Sequence, residues 1–319
     1  MRASTCTRVS CILASYMTGW GVIQVLDLKD ERLSDQSRWE VAVGRTLLLC
    51  HAGRPDLALA EVNEERTLLA TLLGPACLES YERAHPLIVK MHMLCDLQRV
   101  GCEGLALDAK GNKLRPREKT HESLVRAIGR AESTGVGMEA HVEMLSLLRA
   151  LARLHGFRGV VATTWKRQAK VCFASQHAQA AWAGVLEAEC AGCQAAFKLK
   201  GKLLWQAARH VEAVDVLNCG IAALEASSGS GTESDSNSGK ALARARLQLL
   251  TWQVSQGQGA TEALKKEFNE LLKLRQKDDK IHLEFANFLR TVYEDLRLRC
   301  ALRHPCITIS ICFTIEKVK

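Results

Sequence analysis

The residues with the clearest chemical potential in this sequence are Cys190 and Cys193, which form its one C-x-x-C motif. Thiols at this spacing bind zinc or exchange disulfides. A structural zinc site needs four ligands, usually as two close pairs, and the sequence has no second C-x-x-C and no H-x-x-x-H. Thioredoxin-type chemistry needs a βαβ context, which is not visible. We therefore predict buried helix cysteines and no metal.

A second candidate pair is His92 and Cys95, which lie three residues apart on one predicted helical face. This spacing suits a metal pair or a nucleophile with its base. The neighbouring Met91, Met93 and Leu94 favour packing in the core instead. Five tryptophans could stack on single-stranded nucleic acid, but each lies among apolar helical residues and is predicted to belong to the core. They are Trp39, Trp165, Trp182, Trp205 and Trp252.

The motifs of phosphoryl transfer are missing from the sequence. A protein kinase needs a Gly-rich loop, a strand lysine, a catalytic Asp followed by Asn, and a metal-binding Asp. No Asp-Phe-Gly, His-Arg-Asp, Asp-Arg-His or Gly-x-Gly-x-x-Gly occurs. We predict that this chain is not an enzyme by itself, has no cofactor and takes no small-molecule substrate.

The composition is that of a soluble globular protein. Of 319 residues, 47% are hydrophobic and 24% charged, and no stretch approaches the length of a membrane-spanning helix. The net charge of +8 comes from interspersed residues, so direct nucleic acid binding is not indicated. The thirteen cysteines are scattered, which indicates reduced thiols in an intracellular compartment rather than a disulfide framework.

The elements that position these residues are predicted to be helices. Only five prolines occur, and apolar residues recur at spacings of three and four. Gly53, Gly74, Gly101 and Gly156 are predicted to lie between helices. Eleven helices are too many for one closed bundle, so we predict an all-α solenoid of helical hairpins. The predicted helices span 37–51, 56–72, 78–99, 118–132, 138–155, 160–175, 178–199, 205–225, 240–255, 260–275 and 279–298.

Two segments interrupt this pattern. Residues 227–239 contain no apolar side chain and are predicted to form a flexible Ser/Gly loop that divides the chain near residue 230. In the divergent tail, 300–319, five apolar residues alternate with polar ones like a lone, aggregation-prone strand. Residues 1–17 are predicted to be a poorly ordered N-terminal segment without a secretory signal.

On the predicted helix 78–99, one apolar stripe is predicted to face the core, and Glu82, Arg83, Lys90 and Asp96 are predicted to face water. The stripe consists of Tyr81, Ala84, Ile88, Met91 and Cys95.

Residues 80–98 of this predicted helix carry a recognisable run of residues. It reads SYERAH from Ser80 and IVKMHMLCDLQ from Ile88. This run resembles the signature helix of the FAT region in ATR-type checkpoint kinases, which belong to the phosphatidylinositol-3-kinase-related protein kinases. Weaker matches follow in the family's order over residues 18–226 and 240–299. The positions that match the family's pattern are Trp39, Ser80, Tyr81, Arg83, Val89, His92, Leu94, Trp165, Trp205 and His282.

The resemblance implies a fold of tetratricopeptide- or HEAT-like helical repeats and a structural role for the matching positions. It also implies a scaffold segment of a nuclear serine/threonine kinase in the DNA-damage and replication checkpoint and DNA repair. Its implied protein contacts are with the kinase lobes of a parent chain or with a dimer mate. The alternative is a stand-alone helical-repeat adaptor that binds a peptide or partner protein.

Overall fold

The computed structural model describes residues 35–107, 115–133, 137–227, 235–257, 261–274 and 278–303. These residues form helices and no β-strand, which confirms the all-α prediction. The twelve main helices are α1 Asp35–His51, α2 Pro55–Glu79, α3 Tyr81–Asp96, α4 Arg117–Ser133, α5 Met138–Leu154, α6 Arg158–Ala174, α7 Ala178–Cys190, α8 Phe197–Gln206, α9 His210–Ser227, α10 Asp235–Ser255, α11 Thr261–Leu274 and α12 Asp279–Arg303. A π-helix, Leu97–Cys102, and a short turn, Glu103–Leu105, follow α3 directly.

Helix ends in the first part of the chain share one hydrogen-bonding pattern. After α1, the Arg54 amide donates to the Leu49 carbonyl at 2.9 Å and Gly53 has a φ of +69°. After α5, the Phe157 amide donates to the Ala152 carbonyl at 2.9 Å. A six-residue hydrogen bond closed by a left-handed residue is a Schellman motif, and glycine adopts that conformation without steric cost. Gly53 and Gly156 therefore end helices, as the sequence predicts.

The other two predicted glycine breaks are wrong. Gly74 lies inside α2, which continues through Pro75 to Glu79 instead of ending at residue 72. Ala76 is buried on this last turn. Gly101 lies in the π-helix, where an added Cβ would be 3.2 Å from the Cys50 sulfur.

The predicted helix 178–199 is also wrong, because α7 ends at Cys190 and a new helix begins at Phe197. Gly192 has a φ of +86°, and the Cys193 amide donates to the Ala188 carbonyl at 2.8 Å. The C-x-x-C motif is therefore a helix-ending turn. The predicted helix 205–225 likewise divides, since α8 ends at Gln206 and α9 begins at His210.

The chain divides into two compact units between Leu203 and Leu204, earlier than the predicted division near residue 230. We call the described residues before this point the first unit and those after it the second unit. Consecutive helices pack against one another within each unit, as helical hairpins do. The main core of the first unit joins α1 through α6, and that of the second unit joins α10, α11 and α12.

The two predicted interruptions only partly fall within the described residues. Helix α10 begins at Asp235, inside the segment predicted as a loop, and residues 228–234 lie outside the described part. Helix α12 continues past Cys300 to Arg303. The predicted strand-like tail beyond it and the predicted N-terminal segment also lie outside the described residues.

Candidate functional site

The helix that carries the strongest sequence pattern, α3, begins with a side-chain cap. Ser80 is extended, and its hydroxyl accepts a hydrogen bond from the Arg83 amide at 3.2 Å. This bond satisfies one of the free N–H groups of the first turn. Arg83 also forms an ion pair with Glu79 at the end of α2, so the cap holds the junction between the two helices. Tyr81 is 72% exposed, with its ring centroid 5.2 Å from that of His85.

The buried face of α3 differs from the predicted one. Val89, Met93 and Leu94 are buried. The sequence instead favours a stripe of Tyr81, Ala84, Ile88, Met91 and Cys95, of which only Ala84 is buried. The prediction that His92 and Cys95 pack in the core is wrong, because both are exposed. The helix is rotated relative to the predicted stripe.

Asp96, predicted to face water, is 6% exposed and binds Arg130 of α4. An Arg130 Nη donates to an Asp96 carboxylate oxygen at 2.5 Å. Burial raises the pKa of Asp96, and the nearby Arg130 opposes this change without cancelling it. This ion pair joins the end of α3 to α4 across 34 positions of sequence.

Trp39 is the meeting point of three helices. Its indole Nε1 donates to Glu143 of α5 at 2.7 Å, and the Lys90 ammonium of α3 lies 5.3 Å from its ring centroid. Burial raises the pKa of Glu143, although the Trp39 hydrogen bond and Lys90 act in the opposite direction. Burial lowers the pKa of Lys90, and the negative charge of Glu143 is the largest influence that raises it. A buried indole therefore fixes α1 against α3 and α5.

Trp165 belongs to a second polar cluster, between α5 and α6, whose centre is the buried Arg149. The Arg149 guanidinium donates to Gln168 at 2.6 Å and to Ser146 at 3.0 Å, and its carbon lies 3.4 Å from the Trp165 ring centroid. No ion pair in the described part of the chain includes Arg149. Burial lowers the pKa of Arg149 to about 9.

Trp205 and His282 belong to the second unit. The Trp205 ring is half-buried and stacks on Trp252, with centroids 4.4 Å apart and planes at 6°. His210 packs against Trp205 at 4.3 Å. Trp252 is buried, whereas Trp165 and Trp182 are half-buried. His282 is exposed on α12.

These arrangements connect helices and contain no pairing of a nucleophile with a base. Parts of the sequence are also similar to known proteins. The FAT domain family matches residues 15–304. The ATR serine/threonine-protein kinases of Oryza sativa subsp. indica and subsp. japonica are 27% identical over 164 residues, covering 48% of this chain and 6% of each kinase. The ATR kinase of Arabidopsis thaliana is 25% identical over 146 residues, or 44% of this chain and 5% of the kinase.

The chain belongs to the FAT domain family. It is a helical scaffold that resembles part of an ATR kinase, and the FAT domain is a non-catalytic region of those kinases. The matched part of this FAT chain corresponds to about one-twentieth of the length of the curated relatives. The structural role of the ten matching positions stays a prediction.

The C-x-x-C of this FAT chain lies at the end of α7 with Cys190 exposed and Cys193 half-buried, so the prediction of two buried helix cysteines is wrong. Within the described ranges, no group of three or more His, Cys, Asp or Glu side chains is arranged to hold a metal ion. No helix there is long and apolar enough to cross a membrane.

Sequence reasoning missed Asp96, Glu143 and Arg149 as members of buried polar clusters. One signal was present for Arg149, which lies between Leu148 and Ala150 and is the one charged residue of the apolar segment 144–152. A charge inside such a run is normally paired or hydrogen-bonded. Asp96 and Glu143 gave no such signal, because each occupies a position that the helical period alone leaves facing water.

Proposed function

We propose that this chain is the scaffold segment of an ATR-type serine/threonine kinase of the DNA-damage and replication checkpoint. In that protein it would support the kinase lobes, contact other proteins and act in the nucleus. The observation that carries the proposal is the FAT match over residues 15–304 together with two ATR kinases at 27% identity.

The polar clusters of the first unit support a scaffold role. Apolar contacts between helices are not directional, so they restrict the register less tightly than hydrogen bonds do. The Trp39–Glu143, Asp96–Arg130 and Arg149–Gln168 hydrogen bonds each require one register between two helices. A scaffold whose helices are fixed in one register is rigid, so it can hold its bound partners in defined relative positions.

The first experiment identifies the polypeptide in which this sequence is made. An antibody against residues 137–227 is used to isolate the protein from nuclear and cytoplasmic fractions, and the product is sized and sequenced by mass spectrometry. We expect a nuclear polypeptide far larger than the 35.2 kDa of this chain, with kinase-lobe peptides in the same molecule. A 35.2 kDa product without kinase lobes would favour the adaptor.

The second experiment tests contact with the lobes. Lysine cross-linking of the isolated protein should join lysines of this segment, such as Lys170 and Lys202, to lysines of the kinase lobes. Denatured protein is the control, because cross-links that depend on folding are lost in it. If folded protein gives cross-links within the segment and none to the lobes, the supporting role is wrong even where both lie in one polypeptide.

A further inference from the structure

An open groove lies between α4 and α6 on the first unit. It has a volume of about 390 Å³, and its lining comes entirely from these two helices and the residue before α6. The lining residues are His121, Val125, Ile128, Phe157, Gly159, Val160, Thr163 and Arg167. A groove of this volume accommodates two or three large apolar side chains of a partner.

The floor of the groove is apolar and partly uncovered. Ile128 and Val160 are buried beneath it, whereas Val125 is 50% exposed. An added Cβ at Gly159 would meet nothing within 4 Å, so the α6 side is open to an approaching chain. At one end the Phe157 ring is fixed by the Arg117 guanidinium, 4.9 Å from its centroid, and by the edge of His121 at 5.2 Å.

The two helices that line the groove carry more basic than acidic residues. Helix α6 has four basic residues and no acidic one, and α4 has four basic and three acidic residues. Two of those acidic residues are already neutralised, because Glu122 binds Arg126 at 3.1 Å and Glu132 binds Arg167 at 2.7 Å. With every Lys, Arg, Asp and Glu counted, the two helices carry a net charge of +5, compared with +8 for the whole chain.

Three of the cations on α6 have no ion pair within the part of the chain that the structure describes. They are Arg158 and Lys170, which are exposed, and Lys166, which is half-buried. Lys166 lies three residues after Thr163, and Lys170 lies three residues after Arg167. Because residues three apart are neighbours on a helix surface, both lysines lie next to residues of α6 that line the groove. An apolar floor beside unpaired cations selects a ligand that is apolar on one face and acidic beside it.

We infer that this groove binds an amphipathic helix of a partner protein, with apolar side chains over Val125 and Phe157 and acidic side chains facing Lys166 and Lys170. This inference rests on the proposed scaffold function and names the chemistry of one partner. The recognition mode is that of a helix in a groove, in which residues at i, i+3, i+4 and i+7 insert.

The probe is a labelled helical peptide of about 18 residues, roughly five turns, with leucine at the inserting positions and glutamate elsewhere. One control peptide has lysine in place of every glutamate, and another has the same composition in scrambled order. Binding to the full chain is measured by fluorescence anisotropy at two salt concentrations. The groove variants are Val125→Glu and Lys166→Glu. The matched control variants are Val211→Glu, at a residue that is 76% exposed on α9, and Lys266→Glu on α11.

We expect the acidic peptide to bind, with affinity falling as salt rises, and each groove variant to weaken it by about tenfold or more. Circular dichroism shows whether a variant keeps its helical signal, and a conservative Val125→Ala keeps the site testable should Val125→Glu unfold. Equal binding of the lysine or scrambled peptide overturns the inference, as does an equal loss in the control variants.

Two other occupants are separate outcomes that also overturn it. The first is tighter binding of a single-stranded oligonucleotide that Lys166→Glu abolishes. The second is concentration-dependent dimers that Val125→Glu dissociates, detected by sedimentation velocity. Because the assay uses this chain alone, its failure leaves the kinase scaffold proposal intact. A 35.2 kDa cellular product would contradict the scaffold proposal and leave the groove inference intact.

Discussion

The two units bury different kinds of side chain. All eight buried polar residues of the described chain lie in the first unit, on α1, α3, α4, α5 and α6. They are Thr46, Asp96, Thr120, Ser123, Ser146, Arg149, Thr164 and Gln168. The second unit has an aromatic core, with Phe268 packed against Phe285 and Phe288 at centroid distances of 5.5 and 5.2 Å.

This difference separates two ways of fixing helices against one another. Hydrogen bonds and ion pairs are directional, so the first unit loses specific partners when a helix shifts. Aromatic packing depends mainly on buried area, so the second unit loses stability when volume is removed. The first unit should therefore respond to changes of polarity and pH, and the second to changes of size.

The largest effect is expected from Phe268→Ala in the second unit. Phe268 is 1% exposed at the centre of three aromatic rings, and removal of such a side chain costs about 3–5 kcal/mol because a cavity is left. Hydrogen-exchange mass spectrometry should show faster exchange in α10, α11 and α12. Phe268→Leu, which keeps most of the volume, is the control. Equal exchange in the parent and Phe268→Ala would contradict the aromatic core.

The next effect is expected from Trp39→Phe in the first unit. The change leaves the half-buried Glu143 carboxylate without its indole donor, which costs about 1–3 kcal/mol in the free energy of unfolding. A double-mutant cycle with Glu143→Met isolates the hydrogen bond, since the two losses should be less than additive. Trp252→Phe is the matched change in the second unit, where the buried ring stacks on Trp205. Strict additivity would show that the bond contributes nothing.

A smaller effect is expected from Arg149→Lys. Lysine keeps the charge but has no planar fork, so it cannot hold Gln168 and Ser146 together, and the loss should be roughly 1–2 kcal/mol. Urea unfolding measures the loss in the free energy of unfolding, and hydrogen exchange in α5 and α6 locates it. Arg153→Lys on the exposed side of α5 is the control. A variant as stable as the parent would mean that charge alone, rather than the fork, satisfies this cluster.

The smallest effect is expected from pH. Burial raises the folded-state pKa of Asp96 and Glu143 above the ordinary carboxyl value. Such a group contributes stability that is fully present below its unfolded pKa of about 4 and is lost as pH rises through its folded pKa. The free energy of unfolding of an Asp96→Asn, Glu143→Gln variant minus that of the parent should therefore increase from pH 4 to pH 7.

The readout is hydrogen exchange of α3, α4 and α5 as a function of pH. Helices α11 and α12 provide the internal control, because Asp96 and Glu143 lie in the first unit. A difference between variant and parent that stays constant with pH would contradict the raised pKa values. A difference that decreases as pH rises would reverse their sign.

Most of the fold could be predicted from the sequence, whereas the candidate site could be predicted only in part. Helix positions, the turns at Gly53 and Gly156, and the FAT resemblance at residues 80–98 follow from local patterns. The sequence also identified Trp39 and Trp165, which lie in two of the polar clusters. It did not identify their partners, because Glu143 lies 104 positions from Trp39 and no local rule joins them.

The helical character of the chain follows from local sequence, because the spacing of apolar residues by three and four positions and the scarcity of proline act within one or two turns. Which side of α3 is buried depends instead on the tertiary structure. Several stripes of that helix are apolar enough to face a core, and the choice of Val89, Met93 and Leu94 depends on what α2, α4 and α5 place opposite. The burial of Asp96 was decided in the same way, because a carboxylate enters a core only where an arginine such as Arg130 reaches it.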